Sequence, residues 1–154
     1  MKRILGLDVG DRRVGVAVSD ELGVTARGLF VFDRVSLKSD TSKIVDAARE
    51  NDCSHVVIGL PLNLSGQDSV QTEKVREFAK KLENKLVSNA MQDVRVELFD
   101  ERFTTVIADQ ALKDAGIKDA KRRDVIDMQA AVVILGDWLR GRAKATERDS
   151  GQEA

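Results

Sequence analysis

Bulky apolar residues alternate with small or polar ones over the first part of the chain. In ILGLDVGDRRVGVAVSD, Ile4 to Asp20, an apolar strand runs into a glycine-containing turn. Val14, Val16 and Val18 then alternate with Gly15, Ala17 and Ser19. That period-2 pattern predicts a strand with one bulky and one small face. A third strand is expected from Thr25 to Asp33, closing a three-strand meander. The period then changes: Leu37, Ile44, Val45 and Ala48 fall at helical spacing, with Ser39 or Asp40 able to cap the start. His55 to Leu60 is a continuous apolar run stopped by Pro61, as expected of a strand buried on both faces.

The loop PLNLSGQDS leads into an amphipathic helix with Val75, Phe78, Ala79, Leu82 and Leu86 on one stripe. Val94 to Phe99 is the next strand and runs directly into Asp100, Glu101 and Arg102. Thr104 or Thr105 can cap a further helix carrying Ile107, Ala108, Ala111, Leu112 and Ala115, with Gly116 at its C-cap. A last helix, roughly Lys121 to Arg140, is apolar on nearly every side from Val125 onward. The order of elements predicts an α/β fold, a five-stranded mixed sheet in which a three-strand antiparallel meander is joined by two parallel strands, with helices on its faces. Residues 1–142 are expected to form one domain, and the polar, aperiodic residues 143–154 a disordered tail.

Composition narrows the chemistry. The 154 residues include one histidine, His55, and one cysteine, Cys53, so HExxH zinc sites, cysteine clusters and internal disulfides are excluded, and His55, beside the strand-like VVIGL, is expected to be structural rather than part of a Ser-His-Asp triad. With no apolar run long enough to span a bilayer and no signal-peptide pattern, a cytoplasmic protein without membrane attachment is expected. A formal net charge of −1 supplies no global field for a polyanion, so nucleic-acid binding would need a local basic patch.

Carboxylates are what remain. Parallel strands from Ile4, His55 and Val94 would bring Asp8, the Pro61–Ser65 loop, Asp100 and Glu101 to one carboxyl-end rim, where ligands of open α/β sheets bind. Asp127 shares a stripe with Ala130, Ala131 and Ile134, at i+3, i+4 and i+7, and so faces inward. Each acid alone has a plainer reading: Asp8 as a turn residue, Asp100 and Glu101 as strand-end charges paired with Arg102, Asp127 as a helix cap. Asp20 and Asp124 are expected to be turn and cap residues. Converging carboxylates repel unless a cation sits among them. Hard oxygen donors without imidazole or thiolate select Mg²⁺ or Mn²⁺, and a pair of such ions about 3.5–4 Å apart suits phosphodiester cleavage.

Four segments in order, LDVGDRRVGVAVSD, GLPLNLSG, FDERFTT and DMQAAVVIL, resemble the YqgF/RuvX family, compact members of the RNase H-like nuclease and resolvase superfamily. The resemblance implies an RNase H-like fold and a nuclease dependent on one or two Mg²⁺ or Mn²⁺ ions, acting at the 5′ end of precursor 16S rRNA. Relatives have also been regarded as Holliday-junction resolvases. Carried over by position, Asp8, Glu101 and Asp127 would be catalytic and metal-binding, with Asp100 not separable from Glu101 as a ligand. Arg13, Asn63 and Gly66 would contact phosphate. Arg102 fits either a scissile phosphate or its acidic neighbours. Arg122 and Arg123, with Lys118 and Lys121, form a basic cluster able to track a nucleic-acid backbone or to stay solvated at a helix start. The implied partner is structured RNA or branched DNA, bound by a monomer or weak homodimer. An actin-like phosphotransferase would need a second lobe, and a non-catalytic binding or transcription factor on the same fold would not need three acids.

Overall fold

Strand β1 (Arg3–Val9) sorts its side chains onto two faces. Leu5, Leu7 and Val9 enter one hydrophobic core, while Ile4 enters another on the opposite side of the sheet. Asp8 shares Ile4's parity. The computed structural model describes residues 2–63, 65–100 and 119–153, leaving aside the side chains of residues 119–124 and 144–153.

Strand β1 pairs antiparallel with β2 (Arg13–Ser19), which pairs antiparallel with β3 (Ala26–Asp33). On the other side of β1, β4 (Cys53–Leu60) and then β5 (Arg95–Asp100) add in parallel, giving the order β3-β2-β1-β4-β5. This is the expected mixed sheet. All three parallel strands end at one edge, at Val9, Leu60 and Asp100.

Helices α1 (Leu37–Glu50) and α2 (Val70–Ser88) cover one face. Ile44, Val45, Val75, Phe78, Leu82 and Leu86 pack there against Val14, Val16, Val56 and Ile58. Burial of these side chains is the main force holding the layers together, at about 1.5–3 kcal/mol for each large one. The opposite face belongs to α3 (Asp119–Glu153), whose Ala131, Ile134, Leu135 and Leu139 pack on Ile4, Ala17 and Val57. The small face of β2 is what lets α3 lie so close. A Cβ at Gly15 would lie 2.5 Å from the carbonyl carbon of Asp127, and one at Gly6 would lie 2.6 Å from Leu135 Cβ.

Three helix boundaries differ from the sequence reading. The N-cap of α1 is Ser36, whose hydroxyl accepts from Ser39 N–H, so Ser39 and Asp40 lie inside the first turn. Asp40 is buried there because it accepts from Arg34 Nε at 3.1 Å and from Val35 N–H at 3.0 Å. Helix α3 begins at Asp119, so neither Asp124 nor Asp127 caps it. Its helical backbone also continues to Glu153, through the segment expected as a tail. Ala, Lys, Arg and Glu in that stretch are strong helix formers, and no proline interrupts them. The helix expected after Thr104 or Thr105 lies outside the described residues. Among the described residues, no helix is long and apolar enough to cross a membrane.

Candidate active site

Asp8 stands opposite Gly15 in the β1–β2 ladder, one residue before β1 ends. Because residue 15 has no side chain, the backbone of α3 at Asp127 settles directly over it. Two carboxylates 119 positions apart in the chain, at 8 and 127, thereby share one edge of the sheet. Arg13, at the start of β2 and on the same face, donates from Nε to Asp127 Oδ2 at 2.7 Å. Both side chains of this ion pair are about a quarter exposed. That length is typical of a charge-assisted bond.

Asp8 is the anomalous group. Burial first, and the negative charge of Asp127 second, push its carboxyl up from 3.8 to about 6. Among the described residues its carboxyl accepts no hydrogen bond that would favour the charged form. Such a carboxylate is costly to keep unless something positive faces it. A hard divalent cation fits that requirement. The donors on this edge are carboxylate oxygens, and the histidine and the cysteine are elsewhere: His55 lies toward the other end of β4 beside Trp138, and Cys53 is buried at its start. Among the described residues no group of three metal-ligating side chains is assembled. Glu101 and Arg102 lie outside those residues.

Asp100 falls elsewhere. Leu7 neighbours Ile58, and Ile58 neighbours Leu98. Asp100, two residues past Leu98 and opposite Leu60, therefore shares the α1–α2 face, whereas Asp8, one residue past Leu7, is on the α3 face. The structure thus separates Asp100 from the Asp8–Asp127 pair.

The loop after β4 holds Asn63 and Gly66 at the same edge. Asn63 Oδ1 accepts from Ser65 N–H, Ser65 Oγ and Gln67 N–H, and Gly66 turns the chain at φ +79° with its N–H on the Asn63 carbonyl. Asn63 is thus the organiser of the loop, with its oxygen already engaged. Thr72, in the capping box at the start of α2, ties the loop back through Pro61 O. Gln71 Nε2 meets Val9 O at 3.3 Å, bringing α2 to the end of β1. Arg122 and Arg123 occupy the first turns of α3, one turn before Asp127, and their side chains lie outside the described residues. Asp20 is the turn residue expected, accepting from Val24 and Thr25 N–H, which lowers its pKa.

A brace beneath the site was not foreseen. Arg34 donates to Gly10 O at 3.1 Å while bound to buried Asp40, and its own N–H bonds Arg12 O. The β1–β2 turn between Asp8 and Arg13 is held from below by this pair. The nearest signal in the sequence was an acid one turn into α1, where its role as a cap looked sufficient.

Among the described residues, a mixed five-stranded sheet with two helices on one face, one on the other and paired acids at its carboxyl edge defines an RNase H-like α/β protein. The same fold occurs in Thermus thermophilus RuvC, solved with a Holliday junction substrate. That similarity has a TM-score of 0.53 at 14% identity and covers 93% of this chain and 96% of that one. It occurs also in the yeast mitochondrial Holliday junction resolvase Ydc2, with a TM-score of 0.60 at 11% identity, over 95% and 81% of the two chains. The RuvX family model, described as Holliday junction resolvase, matches residues 2–141, and the chain belongs to that family. Among curated relatives, a protein of Myxococcus xanthus assigned as a pre-16S rRNA nuclease is 45% identical over 137 residues, 89% of this chain and 87% of its own. One of Koribacter versatilis, with the same assignment, is 42% identical over 140 residues, 91% and 88% of the two chains.

Proposed function

We propose that this chain is a nuclease that hydrolyses phosphodiester bonds in the 5′-end maturation of precursor 16S rRNA, with Asp8, Glu101 and Asp127 holding one or two Mg²⁺ or Mn²⁺ ions. The observation that carries the reading is Asp8: a carboxyl pressed toward its neutral form, without a hydrogen bond among the described residues, beside a second carboxylate. When bound, the metal supplies a hydroxide-like nucleophile and charge neutralisation at the phosphate. The chain's own residues do the rest. Asp8 and Asp127 provide oxygen donors from two elements locked together by Gly15. Arg13 orients Asp127 and supplies a planar donor fork at the place where phosphate oxygens would arrive. The Asn63 loop shapes the same rim, its amides at 63, 65, 66 and 67 engaged within the loop itself. Asp100, on the other face of β5, is left out of the ligand set.

Family membership and the assignments of the relatives support rRNA processing; we place it in the cytoplasm, carried out by a monomer or weak homodimer. The description of the family model keeps a four-way DNA junction as the second substrate to try. The test is to incubate the protein with precursor 16S rRNA and with a four-way junction, with and without Mg²⁺ or Mn²⁺, beside Asp8→Asn and Asp127→Asn. Metal-dependent cleavage of the rRNA by the wild type, absent in both variants, is the expected result. Identical products from wild type and variants would sink the assignment, and cleavage of the junction alone would replace rRNA with DNA as substrate.

A further inference from the structure

An open groove of about 410 Å³ lies beside the acid pair, between the edge strand β3 and α3. Arg13, Phe30, Val31, Asp33, Val125 and Met128 line it. Two features tie it to the site. Arg13 belongs to both, since it bonds Asp127, and Val125 and Met128 flank Asp127 on α3. Gly28 makes room for the Met128 wall, because a Cβ there would lie 2.5 Å from Met128 Cγ. The volume is within the range of small-ligand sites, and the lining combines apolar walls with two opposite charges.

Asp33 decides what such a groove would take. It stands across the ladder from Arg13 and is exposed. A carboxylate at the margin of a phosphate-binding edge repels the backbone of a nucleic acid. It becomes favourable only by accepting hydrogen bonds from a base edge, since an ionised carboxylate has acceptors and no donors. Among the bases, guanine offers two adjacent N–H donors, at N1 and N2, matching the two carboxylate oxygens. Adenine and uracil each place an acceptor next to their donor. Valine side chains and the polarisable thioether of Met128 suit the faces of an aromatic ring.

We infer that the β3–α3 groove is a nucleobase subsite. It receives an unstacked guanine next to the phosphate that Arg13 would contact beside Asp8 and Asp127, and Asp33 reads the N1–H and N2–H edge. The inference rests on the nucleolytic reading for its choice of a nucleic-acid occupant, but its test needs neither metal nor cleavage.

Fluorescein-labelled single-stranded RNA hexamers with guanine, adenine, uracil or an abasic residue in the middle are titrated with the full chain in EDTA, and anisotropy gives Kd. The guanine hexamer binds about tenfold tighter than the uracil or abasic ones, and Asp33→Asn brings guanine and uracil to within about twofold. Met128→Ala weakens the base-bearing hexamers and leaves the abasic one unchanged. The Asp8→Asn protein keeps the wild-type ranking, so loss of cleavage and loss of base selection are separate results. Equal affinity for guanine and abasic hexamers, guanine preference that survives Asp33→Asn, or no hexamer binding at all would each overturn the subsite.

Discussion

Gly15→Ala tests whether the closeness of α3 to the sheet builds the site. The added Cβ would meet main-chain atoms, lying 2.5 Å from the carbonyl carbon of Asp127 and 3.1 Å from Met128 N. Ordinary Cβ contacts begin near 3.4 Å, so the helix must back away by roughly 1 Å at Asp127, and no rotamer change can relieve the clash. The Arg13 Nε–Asp127 Oδ2 bond, now 2.7 Å, would stretch to about 3.7 Å, beyond hydrogen-bond reach. Overpacking of this kind costs about 1–3 kcal/mol, which lowers Tm by roughly 3–10 °C for a chain of this size. Gly141→Ala is the matched control, because nothing lies within 4 Å of a Cβ there. It should leave Tm level or raise it by a few degrees, through the roughly 1 kcal/mol advantage of Ala over Gly inside a helix. Thermal melts of both variants and the rate of precursor rRNA cleavage at a temperature where each is folded give the answer. Gly15→Ala is expected to lose cleavage while folded, and Gly141→Ala to keep it. If Gly15→Ala melts and cleaves like the wild type, the closeness of α3 to a bare backbone at this position does not build the site.

Two further outcomes follow from the same edge. Asp8 keeps its proton to about pH 6 in the folded chain, against 3.8 as its ordinary value, so the folded state holds the extra proton between those limits and stability falls as pH rises through that window. Asp8→Asn escapes this loss: urea melts in metal-free buffer should find it more stable than wild type by up to about 3 kcal/mol at pH 7.5 and no different near pH 3.5, and equal stability at pH 7.5 would refute the strain assigned to Asp8. Asp40→Ala leaves Arg34, whose side chain is 19% exposed, without its carboxylate and frees the turn between Asp8 and Arg13. Denaturant melts should show a loss of about 3 kcal/mol, and a loss under about 1 kcal/mol would mean that Arg34 finds solvent instead.

How much of this was legible beforehand depends on the range over which each signal acts. The strands and their buried faces were readable because Val14, Val16 and Val18 follow a two-residue period that needs no knowledge of the partner strand. Asp127 could be turned inward from Ala130, Ala131 and Ile134 alone. The split between Asp100 and Asp8 could not be read, because strand parity says that residues 98 and 100 share a face but not which face meets α3. Only the register, Leu7 to Ile58 to Leu98, decides it. The Arg13–Asp127 bond joins residues with no pattern in common. An acid near a helix start, as Asp40 is, satisfies the capping rule whether or not it also pairs with Arg34. Asn63 shows a similar ambiguity, since the polar, glycine-containing loop that suits a phosphate also suits a loop that bonds itself.

Asp8 was conspicuous from the start for the reason that makes it informative now. Local rules agree almost everywhere among the described residues: apolar side chains fill both cores, Ser36 and Ser69 cap their helices, and Asp20 closes its turn. Asp8 breaks them, as an acid in a buried strand with a second acid brought against it, and none of the described neighbours donates a hydrogen bond to it. A sequence that meets its folding requirements so consistently keeps such an exception where function demands it. The cost argues for function more strongly than the family resemblance does, because it is measurable in the protein by itself. A cation that relieves it must raise stability more in the wild type than in Asp8→Asn.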